Sequence, residues 1–158
     1  MKELILAAHE IVGVLGMLAA VWVIAELNAS QVNHGIVRRL SMLVAHLVGT
    51  VWILGGVWYV VYYAADRGII LHGPWPAAHG FFMECKEHLF FIPLVLAFYL
   101  PIAARENLLA SAAVRRLAAT TAALVVIASL AVESSGIAVG LGTKMGLAHA
   151  AAAAGIGG

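Results

Sequence analysis

A single cysteine, Cys85, stands in a chain of 158 residues. That count excludes an internal disulfide and a cysteine metal cluster, and the apolar setting of Cys85 makes it an inert thiol. Charge is also scarce: 11% of the residues are Asp, Glu, Lys or Arg, against about 25% in a soluble domain. Basic runs are missing and the formal net charge is +1, so nothing points to nucleic acid. Gly-rich phosphate loops and serine or cysteine nucleophile patterns are missing as well.

What the chain has in excess is apolar surface. Hydrophobic residues make up 63% of it, where soluble domains run at about 45–50%. The composition predicts an all-α integral membrane protein, a single domain folded as a four-helix bundle. The spans are expected at about 4–27, 36–65, 78–101 and 117–141, followed by a low-complexity tail at 142–158 that frays or lies on the surface. The first span starts close to Met1 and lacks a small-residue cleavage site, so it reads as a retained span rather than a removed signal.

Arginines and lysines set the expected orientation. Arg38, Arg39, Arg105, Arg115 and Arg116 fall in the first and third connections, whereas Lys2, Arg67 and Lys144 fall on the other side. This places both termini and the Pro74–Trp75–Pro76 loop outside, in the periplasm of a bacterial inner membrane. The two prolines bias their predecessors away from helix, so the third span begins after Pro76. The loop would rest at the lipid surface or lid a site.

The chain is organised around 78–101, AHGFFMECKEHLFFIPLVLAFYLP, whose first half carries Glu84, Lys86, Glu87 and His88. Ionisable side chains at membrane depth each cost roughly 2.5–3.5 kcal/mol, so by default they mark a site. On a helix Glu84, Glu87 and His88 share a face and Lys86 points elsewhere. Phe81, Phe82, Phe90, Phe91 and Phe98 around them suggest depth; the alternative is a helix start at the interface. Elsewhere, His9, Gly13, Gly16 and Ala20 form a narrow stripe on the first span, open to another helix or a flat ligand. His46 sits near the middle of the second, with Thr50, Ile53 and Val57 on its face, and Glu133 is the one charge of the fourth.

The two halves also resemble each other. His9 is followed by Glu26, Asn28 and Arg38-Arg39-Leu40, and His88 by Glu106, Asn107 and Arg115-Arg116-Leu117. The pattern suggests two duplicated helical hairpins of the same orientation, which would set His9 and His88 at similar depth.

Three chemistries fit. The first is a b-type haem for electron transfer, held by histidines from opposite sides. His9 and His88 are the axial pair, His46 the reserve, Gly13 leaves room for the ring edge, and the arginines can meet propionates. Replacing His9 or His88 should then remove the cofactor, whereas replacing His72 or His149 should not. The second is an iron, copper or zinc ion held by His9, Glu10, Glu84, His88 and Glu133, in an enzyme or a metal carrier. The third is an accessory or quinone-site subunit in which histidines and carboxylates relay protons. Beyond the lipid bilayer, the expected partners are a quinone or redox partner protein and further copies of the chain.

Two stretches carry a family resemblance. AHEIVGVLGMLAAVWVIAEL holds a histidine just inside the first span with a glycine one turn on, and MECKEHLFF holds a lysine inside the third. Together they resemble the small four-helix membrane proteins related to the protoporphyrinogen oxidase of haem synthesis and to the copper-resistance D family. The resemblance implies haem b and a functional pair at His9 and Lys86. Independently of it, Lys86 and Glu87 are the catalytic candidates if the chain is a membrane oxidoreductase. The Trp-x-x-Gly-x-x-Phe continuation of that oxidase is absent, and Glu84, Glu87 and Glu133 are additional.

Overall fold

The computed structural model describes residues 1–105, 108 and 110–155, and among them there is no strand. The chain is an all-α four-helix bundle. Four stretches are long and apolar enough to cross a membrane: Lys2–Leu27, His34–His72, Ala78–Ala103 and Ala112–Ala153. The first is one helix, α1 (Lys2–Leu27), and the second is α2 (His34–His72). The third is composite: a π-helical stretch (Ala78–Met83), then α3 (Glu84–Leu89) and α4 (Phe91–Ala103). The fourth is α5 (Ala112–Ala153).

Helix ends differ from expectation where local chemistry overrides composition. Helix α2 runs past Asp66-Arg67-Gly68 because Ile69, Ile70 and Leu71 resume the apolar pattern, and Ile70 is fully buried. It stops at Gly73 and Pro74. Helix α5 starts five residues before 117, where the Ser111 hydroxyl accepts from the Val114 amide at 3.3 Å. At its other end it continues through most of the stretch expected as a tail, since alanine is the best helix former. It ends near Gly155, whose φ of 69° is the left-handed conformation that closes helices. The tail residues 156–158 lie outside the described residues.

The third span is broken at Phe90 for a covalent reason. Pro93 has no amide hydrogen for the Leu89 carbonyl one turn back, so α3 and α4 are separate helices. Helix α1 has no such break. Of the duplicated pattern, Glu106 and Asn107 lie outside the described residues.

The chain divides into two compact units. The first comprises Met1–Gly55 and Phe90–Ser129. Its core is built from small and branched residues, among them Ala20, Val23, Val37, Val44, Ala97, Leu100, Ala122 and Val125. The glycine stripe of α1 faces a helix: a side chain at Gly16 would touch Leu47 at 3.5 Å and Val48 at 3.6 Å, and one at Gly13 would meet Val51 at 3.9 Å. Gly49 of α2 receives the Phe98 ring of α4.

The second unit comprises Gly56–Leu89 and Leu130–Gly158. Tyr63, Ile70, Ala78, Met83 and Val139 are its buried core, with Trp58, Trp75 and Phe82 packed against them. Trp75 of the Pro/Trp loop thus serves this core, its ring edge-on to Phe82 at 5.6 Å. Here backbones nearly touch. A Cβ at Gly142 would overlap that of Ala78, and one at Gly146 would come within 2.6 Å of the Ile69 carbonyl oxygen.

Candidate functional site

In the first unit α2 carries His46 on an exposed, largely apolar face. Its Nδ1 lies 2.7 Å from the Met42 carbonyl oxygen. A carbonyl only accepts, so Nδ1 carries the proton and Nε2 keeps its lone pair, directed away from the helix. His46 is exposed, and so are its neighbours on that face, Met42, Leu43, Thr50 and Ile53. Two turns toward the start of α2 lies an open groove of about 500 Å³ lined by Gly35, Arg38, Arg39 and Met42. Arg38, Met42 and His46 are spaced four apart, so guanidinium, thioether and imidazole share one stripe. Arg38 and His46 are separated by ~12 Å along the helix axis.

His9 plays a different part in the same unit. Its Nδ1 donates to the Val51 carbonyl of α2 at 3.0 Å, and its ring lies against Gly55, where a Cβ would come within 2.8 Å of Cε1. The imidazole therefore closes the packing of α1 on α2. Glu10 beside it is exposed.

The second unit gathers a denser set of polar groups. Arg67 donates from Nε to His79 Nε2 at 2.9 Å. That fixes the histidine tautomer: Nε2 accepts, so Nδ1 carries the hydrogen and donates it to the Tyr63 hydroxyl oxygen at 2.9 Å. The Tyr63 hydrogen is then left to point elsewhere. His79 and Tyr63 are both buried. Glu84 Oε1 stands 4.0 Å from His79 Nε2. The π-helix makes that approach: the Glu84 amide bonds to the His79 carbonyl five residues back, so the two side chains are stacked. Alongside, the Tyr59 hydroxyl donates to Glu87 Oε1 at 2.6 Å, and the Tyr59 and Tyr63 rings stack at 5.3 Å. Tyr59 is exposed, so losing that bond in Tyr59→Phe should cost about 1 kcal/mol or less. Thermal unfolding in detergent should move by only a few degrees, since the stacked ring remains.

Other predicted residues of this unit are placed as follows. His88 is exposed, with Nδ1 on the Glu84 carbonyl of its own turn at 2.6 Å. Lys86 is half-buried and lays its ammonium against α5, where a Cβ at Gly136 would be 2.8 Å from Nζ. Glu133 is half-buried, three positions before that glycine. Among the described residues, no three His, Cys, Asp or Glu side chains gather as a metal ion would require.

Tyr59, Tyr63, Arg67 and His79 were not among the residues the sequence singles out, although Tyr59, Tyr63 and Arg67 recur every fourth residue. That spacing was the available signal; the run of aromatic residues from Trp58 to Tyr63, ordinary near the end of a span, obscured it. No family model, characterised protein or solved structure matches the chain.

Proposed function

We propose that the chain is a bacterial inner-membrane protein that binds b-type haem for electron transfer, with both termini on the periplasmic side. His46 would hold the haem iron, and Arg38 and Arg39 would pair with its propionates. The observation that carries this reading is the stripe itself: an outward Nε2 lone pair and an arginine-lined groove on one helix face. Haem supplies one-electron chemistry when bound. The chain's own residues fix the ligand tautomer through Met42, present the lone pair, and neutralise two carboxylates that the bilayer would otherwise reject. Arg38 and Arg39 belong to the arginine-rich side, which the positive-inside rule assigns to the cytoplasm. His46 then lies ~10 Å further into the membrane, at a depth where an exposed imidazole calls for a partner.

Absorbance spectroscopy of the purified protein tests this. The wild type should show a Soret band with α and β peaks on reduction. His46→Ala should lose most of that absorbance, while His9→Ala should keep it. A colourless wild type, or an undiminished spectrum in His46→Ala, would overturn the assignment.

A second reading rests on the Arg67–His79–Tyr63 chain. Tyr63 and His79 are both buried and hydrogen-bonded, Arg67 donates to His79 Nε2, and Glu84 stands 4.0 Å from the same nitrogen, so Glu84, His79 and Tyr63 would line a short path for protons of the kind a quinone-linked redox protein uses.

A further inference from the structure

At its own depth His46 is the one imidazole the first unit offers on the exposed stripe, and a six-coordinate haem needs two, directed at the iron from opposite sides. Within this unit the other histidines do not reach that level and face together. His9 is turned onto Val51 and Gly55, and His34, although it continues the four-residue spacing of the stripe, stands ~18 Å along α2 from His46. We propose that the second axial ligand is His46 of a second copy of the chain, so that one haem is shared across a two-fold dimer. The proposal rests on the haem reading above and adds to it the stoichiometry and the partner.

Symmetry supplies the geometry. Two copies inserted with the same orientation are related by an axis along the membrane normal, which leaves every residue at its own depth. The two His46 side chains therefore meet at one level, each with its lone pair toward the axis. The face around them suits a self-complementary contact: Met42 is 41%, Leu43 46% and Ile53 59% exposed. Such a contact would also cover His46, an ionisable side chain that lipid accommodates poorly.

Charge selects what lies between the copies. Arg38 and Arg39 stand on or beside the same stripe, so the dimer would bring two arginine pairs toward each other. A bare dimer on this face would be repelled at that level. A ligand carrying two carboxylates turns the repulsion into four favourable pairs. Haem b has that chemistry, with its propionates on the edge that would face the arginines.

The test uses the full chain in lipid nanodiscs, with haem the probe. The wild type should carry one haem per two chains and give a six-coordinate low-spin spectrum. Wild-type and His46→Ala chains bearing different tags are then co-expressed, and the doubly tagged species isolated. It should retain haem with a five-coordinate, high-spin spectrum, having lost one of its two ligands. Arg38→Gln with Arg39→Gln, which leaves both imidazoles in place, should weaken haem retention at least tenfold. A haem-loaded monomer, or a mixed dimer that stays six-coordinate, overturns the shared site while leaving haem binding intact. A wild type with no haem overturns the underlying function.

Discussion

Gly142→Ala should destabilise the protein and Gly140→Ala should stabilise it, although the substitutions are identical and two residues apart on α5. A Cβ at Gly142 would overlap the Ala78 Cβ, with Ile70 atoms at 3.6 and 3.7 Å leaving little room to shift. Ile70 and Ala78 are both fully buried, so neither yields by rotating into open space. Overpacking of this kind costs about 1–3 kcal/mol, and more when backbone must move. Gly140 has nothing within 4 Å. There alanine only removes the conformational freedom of glycine in a helix, a gain of about 0.5–1 kcal/mol. The two variants should differ by about 1.5–4 kcal/mol, read by thermal or denaturant unfolding in one detergent. Shifts of the same sign in both would show that α5 does not approach the π-helical segment as closely as described.

Arg67→Met should destabilise the second unit and reverse the proton placement inside it. With the guanidinium gone, the buried His79 Nε2 loses the donor 2.9 Å away. A buried acceptor left without its partner costs about 1–3 kcal/mol. The histidine has one way to recover: its hydrogen moves to Nε2, toward Glu84, and Nδ1 becomes an acceptor for the Tyr63 hydroxyl. Nitrogen-15 spectra of labelled histidine should therefore show the Nδ1–H tautomer in the wild type and the Nε2–H tautomer in the variant. Arg67→Lys should not restore the wild-type spectrum, because lysine has no Nε–H at that place. A double-mutant cycle of Arg67→Met with His79→Leu should give a coupling of about 1–3 kcal/mol. Additive effects, with an unchanged tautomer, would break the link between the two residues.

The helices were legible in the sequence because composition alone requires them: long apolar stretches in lipid must bond their own backbones. Boundaries were less so. Asp66-Arg67-Gly68 looks like the end of a span, yet Asp66 is buried and the helix continues to His72. The alanine-rich end looks like a loose tail, yet alanine helicity carries α5 to Ala153. For the site, Glu84, Glu87 and His88 stood out as charges in an apolar stretch, and two of them do join the polar cluster. The rest of the cluster, Tyr59, Tyr63 and Arg67, sits on another helix, and aromatic residues near a span's end have an ordinary interfacial explanation. His79 was hidden for a different reason. A position next to a Pro/Trp loop gives no hint of a π-helix, and an α-helical wheel does not place it over Glu84.

That π-helical segment has one more implication. A π-turn holds one residue more than the α-turn it replaces, so the stretch from Ala78 to Met83 behaves like an α-helix carrying a single supernumerary residue. A chain one residue shorter here would wind without interruption into α3. Whatever precedes the deletion would then be rotated by about 100° relative to Glu84, carrying the His79 ring off the Arg67 guanidinium. The alignment of an entire polar array thus depends on a count of residues rather than on the identity of any one of them.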